Sequence, residues 1–425
     1  MNEKEALEYI KTAAKRGSVY GLEPMKNLLK ELDNPEDDLQ FIHVGGTNGK
    51  GSVSSFLTSV LAENGQKVGR YISPSVFSYE EKIQYITKTK THRMSKEEMV
   101  WSVEKVAAAV ERLKKKSLAE PTVFEIETAM AFLLFKKWKT DIVVLEVGLG
   151  GESDATNVIR NVPVTVITPI SMDHIAILGN SIEEIAGQKA GIIKEGHHVF
   201  TLQKDIRALQ VIRQRCLEKN AVLHEIMEKD YRVCRATVFE SIFSYQGKDY
   251  RTRMTGVYQI ENAALAISVC QYLKMKQIEH GIYNALWPGR FEVLKKKPLV
   301  IIDGAHNESG AKALEESIQL LLPGKKIYGI YGIFADKDYK EVSARIIPHL
   351  EEVIAVPAEG KRSLPPDKLA QVCRKYISNV TASPDVKEAL RTIETKAGDE
   401  DVILAFGSLS FLQQIKEEIE NEKFE

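Results

Sequence analysis

The stretch Phe41 to Ser52, FIHVGGTNGKGS, constrains this chain more than any other. Four residues with the composition of a buried strand, Phe41 to Val44, run into Gly45, Gly46, Thr47, Asn48, Gly49, Lys50, Gly51 and Ser52, and an amphipathic pattern begins at once. Val53, Phe56, Leu57, Val60 and Leu61 lie on one helical face that ends near Gly65. Strand, glycine-rich turn, lysine, hydroxyl and helix, in that order, make a phosphate-binding loop. Glycines let backbone N–H groups turn onto phosphate oxygens, the helix N-terminus favours negative charge, lysine reaches the terminal phosphates, and a hydroxyl is left for Mg²⁺. The spacing departs from the Walker form GxxxxGK[ST], because Gly51 stands between Lys50 and Ser52.

A 425-residue chain exceeds what one hydrophobic core usually serves, so two domains are expected. With 58 basic and 59 acidic residues there is no basic field to draw nucleic acid or an anionic membrane. The N-terminus lacks the apolar core of a signal peptide, and no run approaches a membrane span, so the expected location is the cytoplasm. Cys216, Cys234, Cys270 and Cys373 are widely spaced and suggest neither a disulfide framework nor a zinc site.

Further polar residues fall where strands should end. KVGRYI stops at Ser73-Pro74, and strand C-terminal ends are where open α/β sheets hold ligands. A polar, irregular excursion or β-ribbon is expected over 78–96, then helices over Ser95 to Lys115 and Phe124 to Trp138. DIVVLEVGLGG, from Asp141 to Gly151, reads as a central strand carrying one acid, Glu146, which is costly there unless it binds a cation or is fully hydrogen-bonded. VTVITPI leads to Ser171-Met172-Asp173-His174, and Ser181 with Glu184 has the spacing of a capping box opening the helix that contains Lys189. On position alone Lys189 is an ordinary helix lysine, and His174 is as readily a satisfied polar residue as a ligand.

A crossover is expected around Trp287 to Pro298, after which strands and helices alternate again. The fold class is therefore α/β: an N-terminal phosphate-loop domain over 1–292 and a smaller Rossmann-like domain over 293–425. The second has no glycine-rich loop. Its strand ends carry Asp303-Gly304-Ala305-His306-Asn307 and Phe406-Gly407-Ser408, expected to face the first domain across a cleft. The pattern implies an ATP-dependent enzyme with a second substrate, and leaves open a ligase that phosphorylates a carboxylate, a kinase or ATPase, and a nucleotide-gated binding module.

Taken together, HVGGTNGKGS, Ser73-Pro74, LEVGLGG followed by Asp154-Ala155-Thr156-Asn157, MDH at 172–174, KAGIIK at 189–194, YQIENAA at 258–264, PGRFEV at 288–293, DGAHN at 303–307, ADKD at 335–338 and the late FGSL resemble the folylpolyglutamate synthase/dihydrofolate synthase family of the Mur ligase superfamily. The resemblance implies an amide ligase with an acyl-phosphate intermediate, whose partners are a folate derivative and L-glutamate, acting as a monomer without nucleic acid or membrane. A Mur-like ligase on another carboxylate is the alternative. It implies that Asn48, Gly49, Lys50, Gly51 and Ser52 hold the ATP phosphates and that Asn262, Arg290 and Asp303 contact ATP. Ser73, Glu146 and His174 would serve two Mg²⁺ ions, and Lys189 would be the lysine this family carbamylates. Lys50, Lys189 and His306 take the catalytic roles. Thr122, Phe124, Glu125, Ser153, Asp154 and Ser408 would line the sites for folate and glutamate.

The chain departs from the family pattern at Glu152, Ser153, Ser75-Val76 and Lys82, all bordering the acceptor side. The resemblance also leaves room for a second activity, making dihydrofolate from dihydropteroate with Thr122 to Glu125 lining a pterin pocket; the acidic residue that bifunctional members carry near their LGLE turn is missing from Val19-Tyr20-Gly21-Leu22-Glu23, which weakens that expectation.

Overall fold

A computed structural model describes residues 1–13 and 21–421. By internal contacts the chain divides into two compact units, one of Met1–Asp230 with Asn262–Ala285, the other of Tyr231–Glu261 with Leu286–Glu425. Val19 and Tyr20, which carry the argument about bifunctionality, lie outside the described residues.

The first unit is built on β1 (Phe41–Gly45), β2 (Val68–Tyr71), β3 (Ile83–Ile86), β4 (Thr91–Arg93), β5 (Ile142–Glu146), β6 (Val164–Ile167), β7 (His198–Thr201) and β8 (Val222–Glu225). They form one sheet in the order β4-β3-β2-β5-β1-β6-β7-β8. β2 through β8 in that spatial order run parallel, while β3 and β4 are antiparallel additions. The excursion expected over 78–96 is thus a continuation of the main sheet, because Ile83 and Ile86 have apolar neighbours to bury against. The chain passes from β1 to one side and later returns to β6 on the other, which makes the end of β1 a topological switch point. The helix Lys50–Glu63 packs on β1, β2, β3 and β5. On the opposite face Phe41, Tyr71, Val143 and Leu145 pack with Ile126, Met130 and Phe135 of the helix Val123–Trp138.

The second unit begins with an antiparallel three-stranded ribbon, β9 (Tyr231–Ala236), β10 (Ser241–Tyr245) and β11 (Lys248–Thr252). Sequence placed a single boundary at 292/293; by contacts the ribbon and the following turn group with the later part of the chain. Among the contacts within this unit, the Val257 N–H donates to the Ser317 Oγ at 3.2 Å, and the Lys296 ammonium stands over the Phe239 ring. The main sheet of this unit comprises β12 (Glu292–Lys296), β13 (Leu299–Asp303), β14 (Ile327–Gly332), β15 (Glu352–Ala355), β16 (Val380–Ala382) and β17 (Val402–Gly407), in the order β12-β13-β17-β14-β15-β16. Only β12 is antiparallel. β17 returns between β13 and β14, so the ends of these three strands form the second switch point.

Candidate active site

In the first unit the phosphate loop has the backbone its glycines allow. Gly46 holds φ +130°, and a Cβ there would stand 2.0 Å from the Thr168 Oγ1; Gly49, at φ +91°, would collide with the Asn262 side-chain oxygen at 2.5 Å. These glycines bring the loop against β6's end and against Asn262, and no side chain can replace them without moving one or the other. The loop is further pinned where the Thr47 N–H donates to the Pro169 carbonyl at 3.0 Å and the Ser171 N–H donates to the Thr47 Oγ1 at 3.1 Å. Ser52 is buried in the first turn of the helix that Lys50 opens.

Two lysines meet on this loop. The Lys50 ammonium donates to the Gly46 and Thr47 carbonyls, each at 3.2 Å, and the Lys189 ammonium donates to the same Gly46 oxygen at 2.9 Å. Lys189 is only 4% exposed. Its burial, reinforced by the neighbouring Lys50 charge, brings its pKa down to about 7. The reading of Lys189 as a solvated helix lysine is therefore wrong; its helix turns it inward, where only tertiary contact could reveal it.

Glu146 ends β5 and is 5% exposed, while Ser73 follows β2, the neighbouring strand, and is partly buried. His174 lies after β6, which is separated from β5 by β1, and it is exposed in the left-handed backbone region at φ +50°. Its backbone N–H donates to the Asp173 Oδ1 at 2.9 Å. Among the described residues no three His, Cys, Asp or Glu side chains gather in a metal cage. A buried carboxylate at the end of β5, with the Ser73 hydroxyl just past the neighbouring strand, nevertheless fits Mg²⁺, a hard cation that prefers oxygen and keeps most of its waters.

The acceptor-side candidates are less open. Thr122 and Glu125 form a reciprocal capping box: the Glu125 N–H donates to the Thr122 Oγ1 at 3.3 Å, and the Thr122 N–H to the Glu125 Oε2 at 2.7 Å. Asp154 accepts from the Leu149 N–H at 2.8 Å, the Thr156 N–H at 3.0 Å and the Thr156 hydroxyl at 2.5 Å. Thr156 in turn meets the Nε2 of fully buried His43 at 2.9 Å, and burial holds that imidazole neutral. Asp154 thus fixes the glycine turn to β1. Phe124 is partly buried under Gly148, where a Cβ would come within 2.4 Å of its ring, and Ser153 is exposed.

The second unit gathers its polar residues at its own switch point. Asp303, last in β13 and 2% exposed, accepts from the Tyr258 hydroxyl, the Phe291 N–H and the Ala305 N–H, each at 2.8 Å. Burial raises its pKa, and the Arg290 charge opposes that rise. The Arg290 Nη1 donates to the Gly289 carbonyl at 3.0 Å, and a side chain at Gly304 would strike it at 2.3 Å. The His306 Nδ1 lies 2.8 Å from the Gly304 carbonyl, which makes Nδ1 the donor. Ser408, after β17, sends its N–H to the Gly332 carbonyl at 2.8 Å and has its Oγ 3.0 Å from that of Ser410.

Tyr258, whose hydroxyl donates to Asp303, and Arg70, whose Nη2 donates to Gln84, make contacts that sequence reasoning passed over. Tyr258 lies inside the YQIENAA motif, a usable signal. Arg70 sits in a plain strand and gave none.

A lysine-bearing phosphate loop on one doubly wound sheet, with a second such sheet following, defines an ATP-dependent ligase of the Mur type. The Mur ligase middle domain matches residues 44–270, and the Mur ligase glutamate ligase domain matches 289–409. The chain is 36% identical to the dihydrofolate synthase/folylpolyglutamate synthase of Bacillus subtilis, over 98% of this chain and 99% of that one. It matches the crystal structure of the Thermotoga maritima folylpolyglutamate synthase with TM-score 0.85 and 32% identity, covering 100% of this chain and 98% of that one. The Mycobacterium tuberculosis folylpolyglutamate synthase complexed with ADP and AMPPCP gives TM-score 0.87 at 26% identity, over 98% and 99% of the two chains. The chain belongs to the folylpolyglutamate synthase/dihydrofolate synthase family.

Proposed function

We propose that this chain joins L-glutamate to the terminal carboxylate of a reduced folate, using ATP, in the cytoplasm and as a monomer. The support is one observation: two lysines share the Gly46 carbonyl, one beside the phosphate loop and the other with its charge suppressed. A kinase needs only the first. A near-neutral buried amine can add CO₂, losing a proton and becoming a carbamate anion, which replaces a repelling pair of cations by an attracting pair.

The chemistry then runs in two steps. A folate carboxylate oxygen attacks the γ-phosphorus of ATP and ADP leaves. The glutamate amine attacks the resulting acyl phosphate at its carbonyl carbon, the C–O bond breaks, and phosphate departs as the amine gives up a proton. Lys50 and the backbone of Asn48, Gly49, Gly51 and Ser52 bind and orient the β- and γ-phosphates and offset their charge. Asn262, Arg290 and Asp303 contact ATP. Ser73 and Glu146 would hold one Mg²⁺ and His174 a second; these ions, when bound, neutralise charge on the phosphates. Carbamylated Lys189 supplies a further carboxylate-like group. Thr122, Phe124, Glu125, Ser153 and Asp154 shape the acceptor side, the first and third by capping their helix and the last by setting the glycine turn. His306 and Ser408 orient the incoming glutamate. For domain function the division at 292/293 is kept, with the phosphate loop before it and the glutamate-placing His306 and Ser408 after it.

The test is phosphate release from ATP and Mg²⁺ with tetrahydrofolate or dihydropteroate, each with and without glutamate. Release that needs tetrahydrofolate and glutamate together, with a product heavier by one glutamate, supports the proposal. Release with dihydropteroate as well makes the enzyme bifunctional, and release with neither moves the chemistry to another carboxylate.

A further inference from the structure

Arg70 is a guanidinium within a strand whose companions are otherwise apolar. In the parallel ladder Arg70 stands opposite Val144, and in the antiparallel one opposite Gln84. Opposed residues share a face and side chains alternate, so Glu146, two positions beyond Val144, emerges on the same face as Arg70, one diagonal step toward the strand ends. This is the face covered by the helix Lys50–Glu63. Arg70 is partly buried, with its Nε shut off from water, and its Nη2 donates to the Gln84 Oε1 at 2.7 Å.

The chain of bonds continues to the loop after Ser73. The Gln84 Nε2 donates to the Glu81 carbonyl at 2.6 Å, and the 4%-exposed Glu81 carboxylate accepts the Val76 and Phe77 N–H groups. Burial brings the Arg70 pKa down to about 10, and the Glu81 and Glu146 carboxylates pull it back up, so the cation persists at neutral pH and feels both acids. Arg93, opposite Gln84 on β4, pushes the other way.

We propose that Arg70 is a positioning residue: through Gln84 and Glu81 it holds the Ser73–Phe77 loop, and by its charge it aims the Glu146 carboxylate, so that both present oxygens to the nucleotide-bound Mg²⁺. This rests on the assignment of Ser73 and Glu146 as Mg²⁺ ligands. Arg70 touches no substrate. A fixed cation on the same face as a carboxylate attracts it toward one orientation, and a loop tied to that cation keeps its hydroxyl in place.

The experiment measures binding of AMPPCP, which is not turned over, by calorimetry with and without Mg²⁺. The readout is the factor by which Mg²⁺ tightens binding, in wild type, Arg70→Gln, Gln84→Leu and Glu146→Gln. A merely structural role would lower the melting temperature and leave that factor alone. The expected result is a factor reduced about tenfold in Arg70→Gln, about threefold in Gln84→Leu, and abolished in Glu146→Gln, with metal-free binding unchanged. If Glu146→Gln abolishes the factor while Arg70→Gln keeps the wild-type value, the proposal is overturned and the metal assignment survives. A wild-type factor in Glu146→Gln overturns the metal assignment itself. Should Arg70→Gln fail to fold, Gln84→Leu decides: an unchanged factor there overturns the role of the hydrogen-bonded chain.

Discussion

The two units solve the same architectural problem with different chemistry. Each is a mainly parallel sheet with polar residues at a switch point, yet the first offers backbone and lysine there while the second offers side chains. In the first, Gly46 and Gly49 bring main chain against Thr168 and Asn262, and two ammonium groups share one carbonyl. In the second, Asp303 ends β13 as Glu146 ends β5, but three donors at 2.8 Å already occupy it. A strand-end carboxylate saturated by its own fold builds the site's walls. Glu146 instead shares its face of the sheet with Arg70. Position at a strand end therefore locates a site without saying which acid works in it.

Breaking the first unit should be the most damaging to turnover. Lys50→Met should fold and lose about 10³-fold in kcat, since removal of a preorganised charge contact to a phosphoryl group costs on the order of 3–4 kcal/mol. A loss under tenfold, by single-turnover phosphate release, would break the comparison.

Lys189 comes next. Its pKa near 7 means that the neutral amine is plentiful above that value and protonated below it, so carbamate formation and kcat should fall as pH drops through 7. Stripping CO₂ should cut wild-type activity about tenfold or more, with bicarbonate restoring it, while Lys189→Ala should be low and indifferent to both. Equal CO₂ response in the two proteins would remove the carbamate from the account.

Asp303→Asn should act on stability as well as on ATP binding. Two N–H groups and a hydroxyl would face an amide that accepts with one oxygen only, at a cost of about 1–3 kcal/mol by thermal unfolding. Because burial raises the folded-state pKa of Asp303, its ionised form is disfavoured in the fold. Its contribution to stability thus declines as pH climbs from the ordinary aspartate range through that raised value, a slope Asp303→Asn should lack.

The same contrast explains what could be read from sequence. The phosphate loop was legible because glycine, lysine, hydroxyl and helix lie within a dozen residues, and their chemistry is local. The alternation of β12 to β17 was legible for the same reason, except for β16, only three residues long, and β12, an antiparallel edge. Arg70 was invisible because its meaning depends on the registers of β2 with β5 and β3. Thr122 and Glu125 were ambiguous because a capping box and a pocket wall use the same residues at the same spacing. Ser181 and Glu184 make only half of theirs, since the Glu184 carboxylate accepts the Asn180 N–H at 2.7 Å instead.

The most direct measurement follows an oxygen atom. Tetrahydrofolate whose terminal carboxylate carries ¹⁸O is incubated with the enzyme, ATP, Mg²⁺ and glutamate, and the released phosphate is analysed by mass spectrometry. An acyl phosphate requires one ¹⁸O in the phosphate released by the first addition, because the bridging oxygen leaves with it, so the reaction is stopped while the product carries a single added glutamate. Unlabelled phosphate alongside a glutamate-extended product would contradict carboxylate activation, and with it the role given to the phosphate loop.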